Sequence, residues 1–355
     1  MDWKNVPDQA KLRTERARRI WKAPGASTGV NCLRLTHNGT ALSMGLSDGS
    51  VAVLLLEAIR APPGKQATCT AAAAAPVAPS SPPPTSALLP ALDDTAAPPQ
   101  RPQKQRKPPH AGCISALASQ GNARSPTFTS SVDGSIRQWT TTITTATTPD
   151  CNKTTASAAS TLVGRHKGPI NGLDFSKDRR YLFSTSTDGT LMRWDLGNKA
   201  VRQNGGVPPG RVLTRFGRGA LTVCVDAGGR GNVFVGVEGG AVAVVDAASG
   251  VILRHFNGHT DSILGMDKNT AHRTLVTGSR DGTCRTWFAG RCQSVYVAHG
   301  CPVYAVRLVQ SATACVSAGA DGIIHGWDAH ASVPRIVYHG GHEGLPVFAL
   351  ALDPG

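Results

Sequence analysis

A chain of 355 residues with 40% hydrophobic, 5% aromatic and 17% charged residues, 39 of them glycine, is too long for one small core and too poor in large side chains for one big one. The mix suits many short strands joined by tight turns, each unit packing only on its neighbours. The formal charge of +14 is uneven: residues 4–22 carry seven Lys or Arg against Asp8 and Glu15, Arg101, Lys104, Arg106 and Lys107 stand without an acid, and the rest of the chain is only mildly basic.

In chain order, residues 1–24 read as a basic N-terminal extension. Residues 7–22 could form a short helix, or residues 17–22 an outer strand that closes a ring. The segment has no apolar stretch of signal-peptide type, and nowhere are there about 18 apolar residues in a row. The chain is therefore expected to be intracellular, cytoplasmic or nuclear, and not secreted. The nine cysteines are scattered and never spaced CxxC, as expected of reduced thiols.

From residue 25 to 355 the sequence repeats itself. An acidic-Gly turn recurs at Asp48, Asp133, Asp188, Glu238, Asp281 and Asp321, the last three intervals being 50, 43 and 40 residues. Each turn separates two short β-rich runs, such as Tyr181-Leu-Phe-Ser-Thr and Thr190-Leu-Met-Arg-Trp, which is a hairpin signal. His166, His259 and His299 lie 22 residues before a turn Asp and His110 lies 23 before; Trp139, Trp194, Trp287 and Trp327 lie six after. Two segments interrupt the rhythm. Residues 58–109 hold 13 of the 24 prolines and read as a disordered insertion; the Thr-rich stretch 140–161 reads as a second, shorter loop.

The paired Gly258-His259, Ser279-Arg280-Asp281-Gly282-Thr283 and Trp287, with Thr187-Asp188-Gly189-Thr190 and Trp194-Asp195, resemble the WD-repeat β-propeller family. The resemblance implies an all-β ring of four-stranded antiparallel blades. Six turns, and a half repeat begun by Arg335-Ile-Val-Tyr338, Gly341-His342 and the run Val347 to Leu352, whose turn would fall past Gly355, give an expectation of seven blades with the last incomplete. It also implies structural tetrads: His110, Ser131, Asp133 and Trp139; His166, Ser186, Asp188 and Trp194; His259, Ser279, Asp281 and Trp287; and His299, Asp321 and Trp327, with Gly319 where the hydroxyl is expected. The repeats at Asp48 and Glu238 lack both His and Trp.

No Walker loop, GxSxG, HExxH or Rossmann glycine pattern is present, so neither catalytic residues nor a cofactor is expected. His339-Gly-Gly-His342-Glu343 invites a metal reading, but the further ligands zinc needs cannot be named, and His342 reads as a seventh tetrad histidine. The resemblance points instead to a scaffold that binds other proteins. Its partner-binding face would hold Asn171, Leu264, Arg280, Tyr304 and Phe348. A stable subunit of a larger assembly is the leading expectation. The alternatives are a substrate-recognition adaptor of a ubiquitin ligase, since Trp3-Lys4 and Arg18-Arg19-Ile20-Trp21 resemble an F-box linker, or a basic ribonucleoprotein-associated subunit. The basic N-terminus and residues 101–107 offer weak, salt-sensitive contact with nucleic acid or other polyanions.

Overall fold

The computed structural model describes residues 29–35, 41–49, 51–55, 110–119, 126–148, 151–197, 210–226, 231–269, 272–297, 299–309, 313–330, 334–338, 342 and 344–352. The N-terminal extension, the insertion at 58–109, His339 and Glu343 lie outside them. Every regular element among the described residues is a β-strand. None is a helix long and apolar enough to cross a membrane.

The strands fall into six antiparallel sheets built in chain order. The first comprises β1 (Val30–Leu35), β2 (Ala41–Leu46) and β3 (Val51–Leu55). The second comprises β4 (Ile114–Ser119), β5 (Thr127–Ser131), β6 (Ser135–Thr148) and β7 (Cys151–Arg165). The third holds β8 (Ile170–Phe175), β9 (Tyr181–Ser186), β10 (Thr190–Asp195) and β11 (Gly210–Arg215). The fourth holds β12 (Ala220–Val225), β13 (Asn232–Val237), β14 (Val242–Asp246) and β15 (Ile252–Phe256). The fifth holds β16 (Ile263–Asn269), β17 (Thr274–Ser279), β18 (Thr283–Phe288) and β19 (Arg291–Val297), and the sixth β20 (Val303–Leu308), β21 (Ala314–Gly319), β22 (Ile324–Asp328) and β23 (Pro334–Tyr338). The first strands lie side by side in the order β1, β4, β8, β12, β16, β20, as propeller blades do around an axis.

The acidic-Gly turns sit where the hairpin signal places them, between the second and third strands of each sheet. Gly189 and Gly282 take φ of +76° and +81°, which glycine adopts freely. A Cβ on either would also come within 2.7 Å of the carbonyl oxygen of Phe216 or His299, residues that open the next repeat. The turn thus presses on the loop of its neighbour, and glycine is required twice over.

The cores lie between sheets. Trp194 packs with Phe128, Ile136 and Val163 of the preceding sheet, and Trp287 with Phe234, Val244 and Phe256. Gly164 and Gly210 give the Trp194 indole its room; a Cβ at either would collide with the ring. Asp174 of β8 accepts from the Val225 amide of β12 at 2.8 Å, and Asp267 of β16 from the Leu308 amide of β20 at 2.9 Å. These two carboxylates tie adjacent sheets together at equivalent positions.

Two expectations need correction. The Thr-rich stretch 140–161 is not a loop: β6 and β7 continue their pairing from Ser135↔Arg165 to Thr148↔Cys151, extending as a two-stranded ribbon beyond Trp139, the last residue of β6 paired with β5. Threonine is β-branched and suits an extended backbone, which outweighs its polarity. The stretch expected to begin a seventh repeat divides: Pro334–Tyr338 pairs with β22 as the fourth strand of the sixth sheet, and residues 345–352 form no strand ladder. The Val347 amide donates to the Gly319 carbonyl at 3.1 Å, and Val347 and Leu350 pack on Ala305 and Ala318. His342 is exposed and forms no tetrad.

Candidate functional site

Four sheets are locked by a buried polar network whose geometry is clearest in the fifth. His259 Nδ1 donates to Asp281 Oδ2 at 2.9 Å, and Nε2 accepts from the Thr277 hydroxyl at 2.8 Å. That hydroxyl accepts in turn from Trp287 Nε1 at 2.9 Å. Asp281 also receives the Thr260 and Thr283 amides and the Thr283 hydroxyl at 2.7–3.0 Å. A neutral histidine carries one ring N–H, so with Nδ1 donating to Asp281 the hydroxyl must donate to Nε2.

The bridging hydroxyl is not where the sequence reading put it. Ser131, Ser186 and Ser279 are buried, yet each accepts from the amide of its own turn Asp, at 3.2, 3.1 and 3.1 Å. Ser131 and Ser279 also donate to the Gly112 and Asp261 carbonyls. The bridge is made by Thr129, Ser184 and Thr277, two residues earlier, which accept from Trp139, Trp194 and Trp287 at 2.7–2.9 Å. Register explains the choice. Trp139, Trp194 and Trp287 pair with Thr127, Leu182 and Leu275, so the indole N–H reaches the diagonal neighbour two residues on and falls short of the residue at the turn. Both candidates share one face of the strand, so alternation could not separate them.

The repeat of His299, Asp321 and Trp327 therefore does have its hydroxyl, since Ser317 bonds His299 Nε2 at 2.9 Å, while His299 Nδ1 donates to Asp321 at 2.9 Å. Its Trp327 is fully buried, stacks on Tyr296 at 4.7 Å, and leaves Nε1 without a partner. His299, Cys301 and Asp321 lie close enough to hold a metal ion, but both histidine nitrogens are already engaged and burial raises the Cys301 thiol, so hydrogen bonding accounts for the cluster.

In the second and third sheets an extra hydroxyl enters. His110 Nδ1 donates to Ser135 Oγ at 2.9 Å and His166 Nδ1 to Thr190 Oγ1 at 2.8 Å, and these hydroxyls donate to Asp133 and Asp188 at 2.6 Å. The direct His–Asp separations lengthen to 3.6 and 3.5 Å. Burial pushes the His110 imidazole down to about 4 against the pull of Asp133, and lowers His166 and His259 likewise. Burial alone would raise the Asp281 carboxyl, but the bonds from Thr283 and Thr260 outweigh it and hold the group at about 2. These histidines are neutral and engaged at physiological pH, which suits structure and not proton transfer.

The fourth sheet does without the network. Phe216, Phe234 and Val244 occupy the histidine, hydroxyl and tryptophan positions, and Phe234 and Val244 are buried. Glu238 is exposed and only accepts the Gly219 amide, at 3.1 Å. Three apolar side chains replace three mutually bonded polar ones.

All six first strands carry a bulge at one place, between Val30/Cys32, Ile114/Ala116, Ile170/Gly172, Ala220/Thr222, Ile263/Gly265 and Val303/Ala305. The skipped residues are Asn31, Ser115, Asn171, Leu221, Leu264 and Tyr304, each half-buried. A bulge frees a residue from the ladder and re-aims its side chain. Asn171, Leu264 and Tyr304, singled out in the sequence, thus share one ring with Leu221, which the sequence did not reveal. Tyr304 and Phe348 meet at 4.9 Å between ring centroids. Phe348 stays 47% exposed, with Leu345 at 67% nearby in the chain. Arg280 is exposed at the turn, its amide bonded to the Ser262 carbonyl.

Antiparallel sheets stacked side by side, each with an acidic-Gly turn and four of them closed by a His–hydroxyl contact, define a propeller-type repeat protein. Three stretches of the chain match the family model for the WD domain, G-beta repeat: residues 159–195, 250–287 and 290–328. The chain is 28% identical to the DDB1- and CUL4-associated factor 11 homolog of Caenorhabditis elegans over 34% of its length and 27% of the relative's. It is 28% identical to the U3 small nucleolar RNA-associated protein 21 homolog of Schizosaccharomyces pombe over 34% of this chain and 12% of that protein. It is 26% identical to the ribosome biogenesis protein ytm1 of Aspergillus clavatus over 36% and 25%. The matches thus cover about a third of this chain and a quarter or less of most of these relatives. No enzyme family is indicated among them.

Proposed function

We propose that this chain is a non-catalytic scaffold that holds other proteins on the face formed by the bulge residues and the Asp-Gly turns, as a subunit of a larger assembly. The observation that carries this reading is the Tyr304–Phe348 pair, an aromatic contact left half exposed on that face and flanked by Leu264 and Arg280. Tyrosine and arginine anchor interfaces because they combine apolar area with hydrogen bonding. The tetrads lie below, and of these residues Leu264 and Tyr304 sit on strands of the sheets they brace.

A second reading, a substrate-recognition adaptor, is supported by the relative whose name ties it to DDB1 and CUL4. Relatives named for U3 small nucleolar RNA and ribosome biogenesis support the assembly reading. Affinity purification of the chain with Arg280→Ala and Tyr304→Ala together, paired with a thermal melt, is the test. Partners should be lost with the melting temperature unchanged. Full recovery of the same partners would remove this face from consideration. Capture of DDB1 and CUL4 would favour the adaptor; capture of pre-ribosomal proteins would favour the assembly subunit.

A further inference from the structure

At the opposite end of the strands from the bulges, the fourth and fifth sheets leave a cavity of about 230 Å³ between them. Its lining is aromatic and cationic. Phe256 stacks on Trp287 at 5.6 Å and tilts against Phe234 at 6.1 Å. Lys268 is already paired, its Nζ 2.5 Å from Asp226 Oδ1 and 4.8 Å from the Phe234 ring centre. Arg254 and Arg273 also line the space; both are exposed, and no carboxylate among the described residues forms an ion pair with either. The Arg254 guanidinium lies 5.3 Å from the centre of the Phe256 ring. Stacking of this kind holds the group in place and leaves its in-plane N–H edge open to an acceptor. Gly290 keeps the space clear: a Cβ there would lie 3.1 Å from Phe256 and 3.4 Å from Arg254 Nη1.

The rim is mixed: Leu253 lines an adjoining groove with Arg254, Asn232 and Asp246, and the Asp246 carboxylate is taken up by the Ala248 and Ser249 amides and the Ser249 hydroxyl. Of the eleven large hydrophobic residues exposed among the described residues, Val251, Ile252, Leu253 and Phe288 lie at the cavity end of these two sheets, while Val295 and Val297 pair with Arg285 and Thr283 toward the turn end. Such a concentration beside a cavity differs from the scattered apolar exposure of an ordinary surface.

We propose that this seam is a second protein-docking site, taking an extended acidic segment of another protein: one carboxylate enters between Arg254 and Arg273, and the apolar side chains flanking it cover Leu253 and Phe288. Two uncompensated guanidiniums in a small cavity call for a compact anion, and a carboxylate matches their planar fork. A nucleic-acid strand fits less well. Phe234, Phe256 and Trp287 are at most 5% exposed and offer no free face on which a base could stack, and a phosphodiester chain would leave the apolar part of the rim in water.

The test is fluorescence anisotropy on the full chain with a fluorescein-labelled peptide of alternating Leu and Glu, a Leu–Gln peptide of equal length, and a labelled oligouridylate. The Leu–Glu peptide should bind and the Leu–Gln peptide should not. Arg254→Gln and Arg273→Gln should each weaken binding at least about tenfold, as loss of one partner of a desolvated charge pair does. Leu253→Asp should do the same through the rim, while Arg215→Gln, an exposed arginine on β11, should change affinity less than about twofold. No binding of the Leu–Glu peptide, or equal loss in Arg215→Gln, would overturn the proposal, the second result marking attraction by overall charge alone. Oligouridylate displacing the peptide through the same two arginines would also overturn it. Because all four substitutions lie away from Arg280 and Tyr304, failure here leaves the reading of the bulge face standing.

Discussion

Replacing Thr277 with valine keeps the shape of the side chain and removes the hydroxyl that joins His259 to Trp287. Two buried ring nitrogens would lose their partner, so Thr277→Val should cost about 2 to 4 kcal/mol. Ser279→Ala should cost about 1 kcal/mol, since it removes bonds only to main-chain groups at the turn. Thermal melts that rank these two the other way would return the tetrad to the serine. Asp188→Ala and Asp281→Ala should each cost about 2 to 4 kcal/mol, and Glu238→Ala much less, because Glu238 is exposed and holds a single amide. The networks also set a pH dependence. His110 takes up its proton near 4 in the fold and near 6.5 when unfolded, so the unfolded chain is protonated first as pH falls. The stability this leaves is complete above about 6.5 and declines between 6.5 and 4; Asp281, held at about 2, extends the loss below 3.8. The melting temperature should be level between about pH 7 and 8 and fall steadily on acidification; a rise between pH 6.5 and 5 would contradict neutral, buried histidines.

At the scale of the element, the ribbon formed by β6 and β7 is separable from its sheet. β5 pairs with β6 only from Ser130↔Ile136 to Thr127↔Trp139, whereas β6 and β7 run on together to Thr148↔Cys151. Replacing residues 141–158 with Asn-Gly, a favoured two-residue hairpin turn, should shift the melting temperature by no more than a few degrees. A larger loss, by circular dichroism or calorimetry, would mean that the ribbon packs on something else. The strands themselves were legible because Asp-Gly turns, histidines and tryptophans fall at fixed spacings. The ribbon was not, because a Thr and Ala run carries no apolar alternation to mark it. Nor was the bridging hydroxyl: residues 129 and 131 share a face, and only cross-strand register distinguishes them. The sequence marks the repeat at Glu238 as lacking His and Trp, but that Phe216, Phe234 and Val244 stand at those positions needed the three-dimensional alignment of one sheet with the next.

For the molecule as a whole, cohesion depends on what passes from sheet to sheet. Trp194 and Trp287 pack backward onto the preceding sheet, while Asp174 and Asp267 reach forward to amides of the next. Asp267→Ala should leave the Leu308 amide unpaired and cost about 1 to 3 kcal/mol. It should also broaden the unfolding transition, since repeat arrays lose cooperativity when an interface between neighbours weakens. Hydrogen exchange showing the fifth and sixth sheets still opening together in the variant would contradict that coupling.

The repeated bulge has a practical corollary. A residue outside the ladder can change identity without disturbing pairing, and here one such residue recurs in every described sheet. Asn31, Asn171, Leu221 and Leu264 are thus independent positions on a fixed frame; Ser115 and Tyr304 are the exceptions, because the Ser115 hydroxyl bonds the Ile170 carbonyl across the seam and the Tyr304 ring packs on Phe348. Randomising those four codons would yield a display library in which nearly every member folds, so that selection on an arbitrary antigen would sort clones by recognition alone.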